Sequence, residues 1–180
     1  IAFLAFCLCL PLVGDDAAKK NFEETKELAE KGDAKAQLKL GLVYDIGRGV
    51  PKDWSEAAKW YLKAAEQGDT KAQKNLGVMY RSGKGVVKDE KEAVKWYRKA
   101  AEQGDAGAQT NLGAMYYNGE GILEDYETAY AWFNIAAANG DEYAKRNKLI
   151  VTKKMPPEQI AKARELSREM IKKNPKLLNK

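Results

Sequence analysis

No histidine occurs anywhere in the 180 residues. That absence removes the Ser-His and Cys-His nucleophile pairs, the H-E-x-x-H metalloprotease helix and every zinc site that needs an imidazole. Cysteine is nearly absent as well. The two present, Cys7 and Cys9, both lie in the apolar stretch that opens the sequence, so the remainder has neither a disulfide framework nor thiolate metal ligands. Serine is limited to Ser55, Ser82 and Ser167, and Ser55 stands four residues from Lys59 rather than at the three-residue spacing of S-x-x-K. Acidic residues are plentiful, but most fall at helix-cap positions or in surface pairs such as Glu56 with Lys59. No cofactor, metal or catalytic residue is expected. What remains, 44% hydrophobic and 32% charged, is the balance of a soluble globular chain held by its core.

The opening residues 1–13, IAFLAFCLCLPLV, are apolar throughout and are followed by Gly14 and two aspartates. The pattern reads as the hydrophobic part of a secretory signal peptide that has lost its basic start, with cleavage expected after Gly14. A retained anchor is the rival reading, although thirteen apolar residues fall short of the ~20 that span a bilayer. Export changes the meaning of the net charge of +5: anionic lipid, cell-wall polymer or acidic protein becomes the counter-charge, and nucleic acid is not expected. There is no Asn-x-Ser/Thr sequon, which favours a bacterial periplasmic or secreted protein over a eukaryotic one.

The middle of the chain divides into three gapless blocks of 36 residues, 36–71, 72–107 and 108–143, with fourteen columns identical in all three. A fixed period of this length predicts an all-α solenoid of helix-turn-helix units. Gly-Asp pairs (Gly68-Asp69, Gly104-Asp105) end one helix and cap the next. The first helix of each block carries Ala36, Leu40 and Tyr44 and their equivalents on one face. It stops at a glycine pair, Gly47/Gly49 in the first block. The second helix opens at Asp53, Asp89 or Asp125, and Glu56 and Glu92 complete the sequence of a capping box. Its inner face is Ala57, Trp60, Ala64 and Ala65 and their equivalents. Gly41, Gly77 and Gly113 are expected to let backbones approach closely while each tryptophan fills the space between units.

The flanks read as caps. Residues 15–35 supply an N-terminal half repeat. Residues 144–180 supply a further first helix, a break at Met155-Pro156-Pro157, a charged amphipathic helix over 159–172 that closes the open end, and a solvated basic tail.

The pattern A-x-x-x-L-G-x-x-Y-x-x-G-x-G-V/I-x-x-D-x-x-x-A-x-x-W-Y/F-x-x-A-A-x-x-G-D, with the closing M-P-P-E-Q-I-A-x-A, resembles the Sel-1-like repeat proteins, relatives of the tetratricopeptide repeats. The resemblance covers about residues 17–173. It implies a right-handed superhelix acting as an adaptor, with the first helices lining the concave side. A cysteine-rich exported branch of that family is linked to β-lactam binding or hydrolysis, and these repeats contain no cysteine, so that activity is not carried over.

On the face implied to be concave, removing the core columns leaves Lys39, Leu42 and Asp45, then Asn75, Val78 and Arg81, then Asn111, Ala114 and Tyr117. Asparagine offers a donor and an acceptor to a peptide backbone, while Arg and Tyr add flat contact surface. The candidate partner-binding residues are therefore Lys39, Leu42, Asn75, Val78, Arg81, Asn111 and Tyr117, and the expected role is a monomeric, non-enzymatic adaptor for a protein or peptide. Charge supplies the alternative. Repeat three has six acids and no base, whereas residues 144–180 carry a net +9, which would suit docking onto an anionic envelope surface. A hydrolase is the third and weakest reading.

Overall fold

A computed structural model describes the backbone of residues 13–179 and the side chains from Lys20 onward. Residues 1–12 of the expected signal segment, with both cysteines, lie outside the described residues. The described chain is all helix, in the order α1 (Val13–Glu30), α2 (Ala34–Ile46), α3 (Trp54–Glu66), α4 (Thr70–Ser82), α5 (Glu90–Glu102), α6 (Ala106–Asn118), α7 (Tyr126–Ala138), α8 (Glu142–Thr152) and α9 (Pro157–Lys173), with a final 3-10 turn at Pro175–Leu177. Helices α2/α3, α4/α5 and α6/α7 form tight antiparallel pairs, and each pair stacks on the next to make an α-solenoid. Among the described residues no helix is long and apolar enough to cross a membrane.

Each helix is bounded by its sequence. Asp33, Asp69, Asp105 and Asp141 accept hydrogen bonds from the backbone N–H three residues on, at 2.6–2.8 Å, which satisfies donors that a helix start leaves unpaired. The second set of aspartates does more. Asp53 accepts from the N–H groups of Ser55 and Glu56 while its own N–H donates to the Tyr44 carbonyl at 2.9 Å; Asp89 repeats this with Tyr80 and Asp125 with Tyr116. One residue thus starts the second helix and ties it to the first. This corrects the capping-box expectation. The Asp N–H is already taken, so Glu56 and Glu92 turn outward to Lys59 and Lys95.

The close approach inside each pair is also different from the one expected. A Cβ on Gly77 would lie 2.7 Å from ring carbons of Tyr97, and the same clash faces Gly41 with Tyr61 and Gly113 with Phe133. The missing side chain makes room for a ring, not for a backbone. Tyr61, Tyr97 and Phe133 are accordingly among the most deeply buried side chains. The tryptophans behave as expected: Trp60 packs with Ala29, Ala36 and Leu40, Trp96 with Leu76 and Met79, and Trp132 with Leu112 and Met115. Each therefore reaches from the second helix of its unit into the core shared with the unit before. Loss of one such ring costs about 3–5 kcal/mol.

A buried amide relay runs through the stack. Gln37 donates to the Ala29 carbonyl and accepts from Gln67, and Gln73 does the same between Ala65 and Gln103. In the third unit Asn139 replaces the glutamine, and its shorter arm leaves room for the Leu177 carbonyl, which accepts from both Gln109 and Asn139 at 2.9 and 2.7 Å. The C-terminal residues are therefore not a solvated tail. Leu177 is buried, Asn174 donates to the Glu102 carbonyl, and the chain passes so close to Gly104 that a Cβ there would meet the Lys176 carbonyl at 2.5 Å. Helix α9 starts two residues before the expected boundary, because proline is tolerated in a first helical turn. It runs parallel to α7, with Arg164 at Tyr130 and Ser167 at Asn134, instead of pairing with α8 as α3 pairs with α2.

Two outcomes follow in unfolding experiments. Gly77→Ala should destabilise the protein by about 1–3 kcal/mol through overpacking against Tyr97, whereas Gly107→Ala, in the first turn of α6 where a Cβ would meet no atom closer than the Asp105 cap carboxylate at 3.3 Å, should be neutral or stabilise by about 0.5 kcal/mol; denaturant midpoints of both variants measure the contrast. Leu177→Ala should cost about 2–5 kcal/mol, where a solvated position would cost under about 0.5.

Candidate partner-binding surface

The outward face of the first helices is built by the same period that builds the core. Residues three and four apart share a helix face, so Lys39, Leu42 and Asp45 project together from α2, opposite the buried Ala36 and Leu40. Repeating every 36 residues, this produces continuous columns across the stack. One column reads Lys39, Asn75, Asn111 and, on α8, Asn147; its neighbour reads Leu42, Val78, Ala114 and Ile150. The last member of each column falls beyond the third repeat and was missed for that reason alone. Adding one more period to Asn111 would have found Asn147.

Six of the seven candidates divide among three clefts. Lys39 and Leu42 line a cleft of about 380 Å³ between α1 and α2, with Phe22, Ile46 and Arg48; the Lys39 ammonium donates to Asn21 at 2.7 Å. Val78, Arg81 and Asn111 line a groove of about 480 Å³ across α4, α6 and α8, whose further walls are Ala114, Tyr143 and Asn147. Tyr117 lines a smaller cleft of about 210 Å³ with Ala114, Asn147 and Ile150, and its ring lies 5.5 Å from that of Tyr126. Asn75 is not part of the groove lining: it is half-buried beside the Tyr61 hydroxyl, which itself donates to Asp45. Among the described residues, the amides of Asn111 and Asn147 have no hydrogen-bond partner, and both residues are half-buried without their amides being sealed from solvent.

Charge on this face is largely committed. Arg81 forms a two-pronged bond to Glu120, Nε to Oε2 at 2.8 Å and Nη2 to Oε1 at 3.2 Å, and Asn118 donates to the same carboxylate. Arg81 thus staples α4 to the turn of the next repeat and offers a partner only its exposed edge. Burial pushes the Glu120 carboxyl up, but the Arg81 and Asn118 bonds outweigh it and hold the group below the ordinary value of 4.5. Burial raises the Tyr97 phenol to about 12 and, with Asp45, raises that of Tyr61 as well, so both rings stay neutral. The hydroxyls of Ser82 and Ser167 are spent on helix carbonyls, and Lys59 is paired with Glu56. Among the described residues no group of three acidic, Cys or His side chains could hold a metal ion.

A group whose folded pKa is depressed contributes stability above its unfolded pKa and loses it as pH falls through the folded value. Glu120→Gln should therefore cost about 1 kcal/mol at neutral pH. The gap between the two proteins should narrow as pH falls below the ordinary carboxylate value of 4.5, and thermal unfolding at a series of pH values would show it.

Comparison with known proteins agrees with this architecture. The profile of the Sel1 repeat matches residues 34–69, 70–105 and 106–141. The chain is 42% identical over 55 residues, 31% of its length, to the secretory immunoglobulin A-binding protein EsiB of Escherichia coli O6:H1, of which this covers 10%. The crystal structure of c5321, a protective antigen present in uropathogenic Escherichia coli strains that displays an SLR fold, superposes with a TM-score of 0.81 at 40% identity, over 88% of this chain and 34% of that one. A Sel1 repeat protein from Oxalobacter formigenes gives 0.65 at 38% identity, over 77% and 59%. The chain thus spans less than two thirds of the length of each.

Proposed function

We propose, from the premise that this chain belongs to the Sel1 repeat family, that it is a non-enzymatic scaffold holding an extended segment of another protein along its first-helix face. The family is consistent with a protein-interaction scaffold, and here one observation carries the finer reading. Asn111 and Asn147 present unpaired amides at the same register on adjacent units, beside an apolar strip of Val78, Ala114 and Ile150. Neighbouring packed helices lie about 10 Å apart and an extended chain advances about 3.3 Å per residue. Successive amides would therefore meet every third residue of a bound segment, each pairing with a backbone N–H and C=O, while the apolar strip takes the side chains between. Tyr117 and Tyr143 supply flat walls for the same segment.

Export into the envelope or beyond is the localisation that fits this reading. It is supported by the apolar opening of the sequence and by the similarity to EsiB and to the protective antigen c5321. A protein or peptide is the partner, with no cofactor, and the third reading, a hydrolase, draws no support from serines bonded to helix carbonyls.

The test is a photo-crosslinking residue placed at Ala114, on the groove floor, compared with one at Lys99 on a second helix, in protein exposed to a bacterial envelope extract. Crosslinks from position 114 that map to one contiguous segment of a partner, and that fall at least tenfold in an Asn111→Ala/Asn147→Ala variant with unchanged circular dichroism, are expected from about 1–2 kcal/mol per lost amide pairing. Equal crosslinking from position 99, or capture unaffected by the double variant, would sink the groove reading.

A further inference from the structure

Among the described residues, α8 is a first helix without the paired second helix that covers its counterparts. Leu149 on α8 stands in the column of Gly41, Gly77 and Gly113, where every earlier unit receives an aromatic ring. Helix α9 contains no aromatic residue and lies against α7 instead. Ala144 and Val151 are fully buried, yet Tyr143, Leu149 and Ile150 on the opposite side of the same helix are 68%, 63% and 50% exposed. They share an outward face with Arg146, whose guanidinium lies 4.7 Å over the Tyr143 ring, and with Lys153 in the turn that follows.

The charge around this stripe is mainly positive. Residues 141–164 hold seven bases and three acids. Asp141 is spent as the cap of α8, and Glu142 is paired with Lys145. Lys148 turns inward to Asn134, while Lys153 and Lys154 are exposed at the end of the helix. Two copies of such a face would place like charges opposite one another, so a symmetric dimer is disfavoured. A surface with negative charge outside and hydrocarbon beneath satisfies both features at once: bases pair with phosphate groups while Tyr, Leu and Ile side chains enter the acyl boundary.

We infer that the exposed face of α8 docks onto an anionic phospholipid surface through Tyr143, Arg146, Leu149, Ile150, Lys153 and Lys154. This is a separate activity from the groove. Leu149, Lys153 and Lys154 line none of the three clefts, so either reading can fail alone. Because Tyr143 and Ile150 border both surfaces, docking would hold the open end of the groove at the lipid headgroups.

The experiment is cosedimentation of the protein with phosphatidylcholine vesicles made with or without phosphatidylglycerol, at low and high salt. Binding is expected only with phosphatidylglycerol, and it should weaken steeply as the screening length drops from about 10 Å at 0.1 M salt to about 3 Å at 1 M. Lys153→Gln/Lys154→Gln and, separately, Leu149→Ala should each reduce the partition coefficient by roughly tenfold or more, with circular dichroism and crosslinking from position 114 unchanged. Absence of phosphatidylglycerol-dependent binding would overturn the proposal, as would binding that both variants retain. So would concentration-dependent dimerisation without vesicles that Leu149→Ala abolishes, since the face would then belong to a second copy.

Discussion

A ring laid on a glycine sets the geometry of this protein. Tyr61 on Gly41, Tyr97 on Gly77 and Phe133 on Gly113 fix how closely the two helices of each unit pack. At that separation the next residues fall into place. The tryptophan one position earlier points into the preceding unit's core, the alanines at 64, 65, 100 and 101 can be fully buried, and the outer face of the first helix is left as a flat ladder. Interiors pack at crystal-like density and respond to a single methylene. A side chain at the glycine column would therefore propagate through the tryptophan contact into the neighbouring unit. The same contact explains why α8 and α9 do not pair as the earlier helices do, because Leu149 replaces the glycine and α9 carries no ring.

Polar groups then fix the period. Each aspartate that opens a second helix also bonds back to the first through its own N–H, so the turn between them cannot lengthen without losing a cap. Each buried glutamine satisfies a carbonyl of the unit before and accepts an amide from its own second helix. Buried amides left unpaired are costly, so the relay rejects registers that hydrophobic packing alone would tolerate. At the third unit the relay is completed by a backbone carbonyl from residue 177. The C-terminal strap thus finishes a hydrogen-bond pattern begun at residue 29, and it does so only because Asn139 is one methylene shorter than Gln67 and Gln103.

Whatever repeats was legible in the sequence. The period, the aspartate and glycine boundaries and the tryptophans between units all follow from columns that recur three times. What was missed is what occurs once. The Arg81–Glu120 staple joins residues 39 apart; one unit earlier the same columns hold Asp45 and Lys84 with the charges exchanged, and spacing alone does not announce which pair closes. The glycine-ring contact was misread as close backbone approach because the missing side chain is visible in a sequence, whereas the neighbour that fills its space is not. The strap was misread as a tail since Leu177 and Leu178 form one short apolar pair among lysines and asparagines, with no periodicity to show that Leu177 is buried. On the candidate surface, Lys39, Leu42, Val78, Arg81, Asn111 and Tyr117 all line clefts, but Asn75 turned to its own unit's phenol and Asn147 lay one period beyond the last full repeat.

Core and surface columns answer to different constraints, and this division locates function on the fold. The ring, tryptophan, alanine and glutamine columns are fixed by contacts with adjacent units, so each accepts few residue types. The columns at 42/78/114/150 and 45/81/117/153 touch solvent and differ in size, charge and shape from unit to unit. A partner reads those differences. Leu42 and Ile46 with Lys39 and Arg48 at one end, a narrow floor at Ala114 in the middle, and Tyr143 with Arg146 at the other give the ladder a direction. A segment bound along it meets a basic apolar cleft first and a basic aromatic end last. Because the helices beneath are locked by ring, relay and strap, that order is presented without any rearrangement of the scaffold, and the entropy lost on binding falls on the partner.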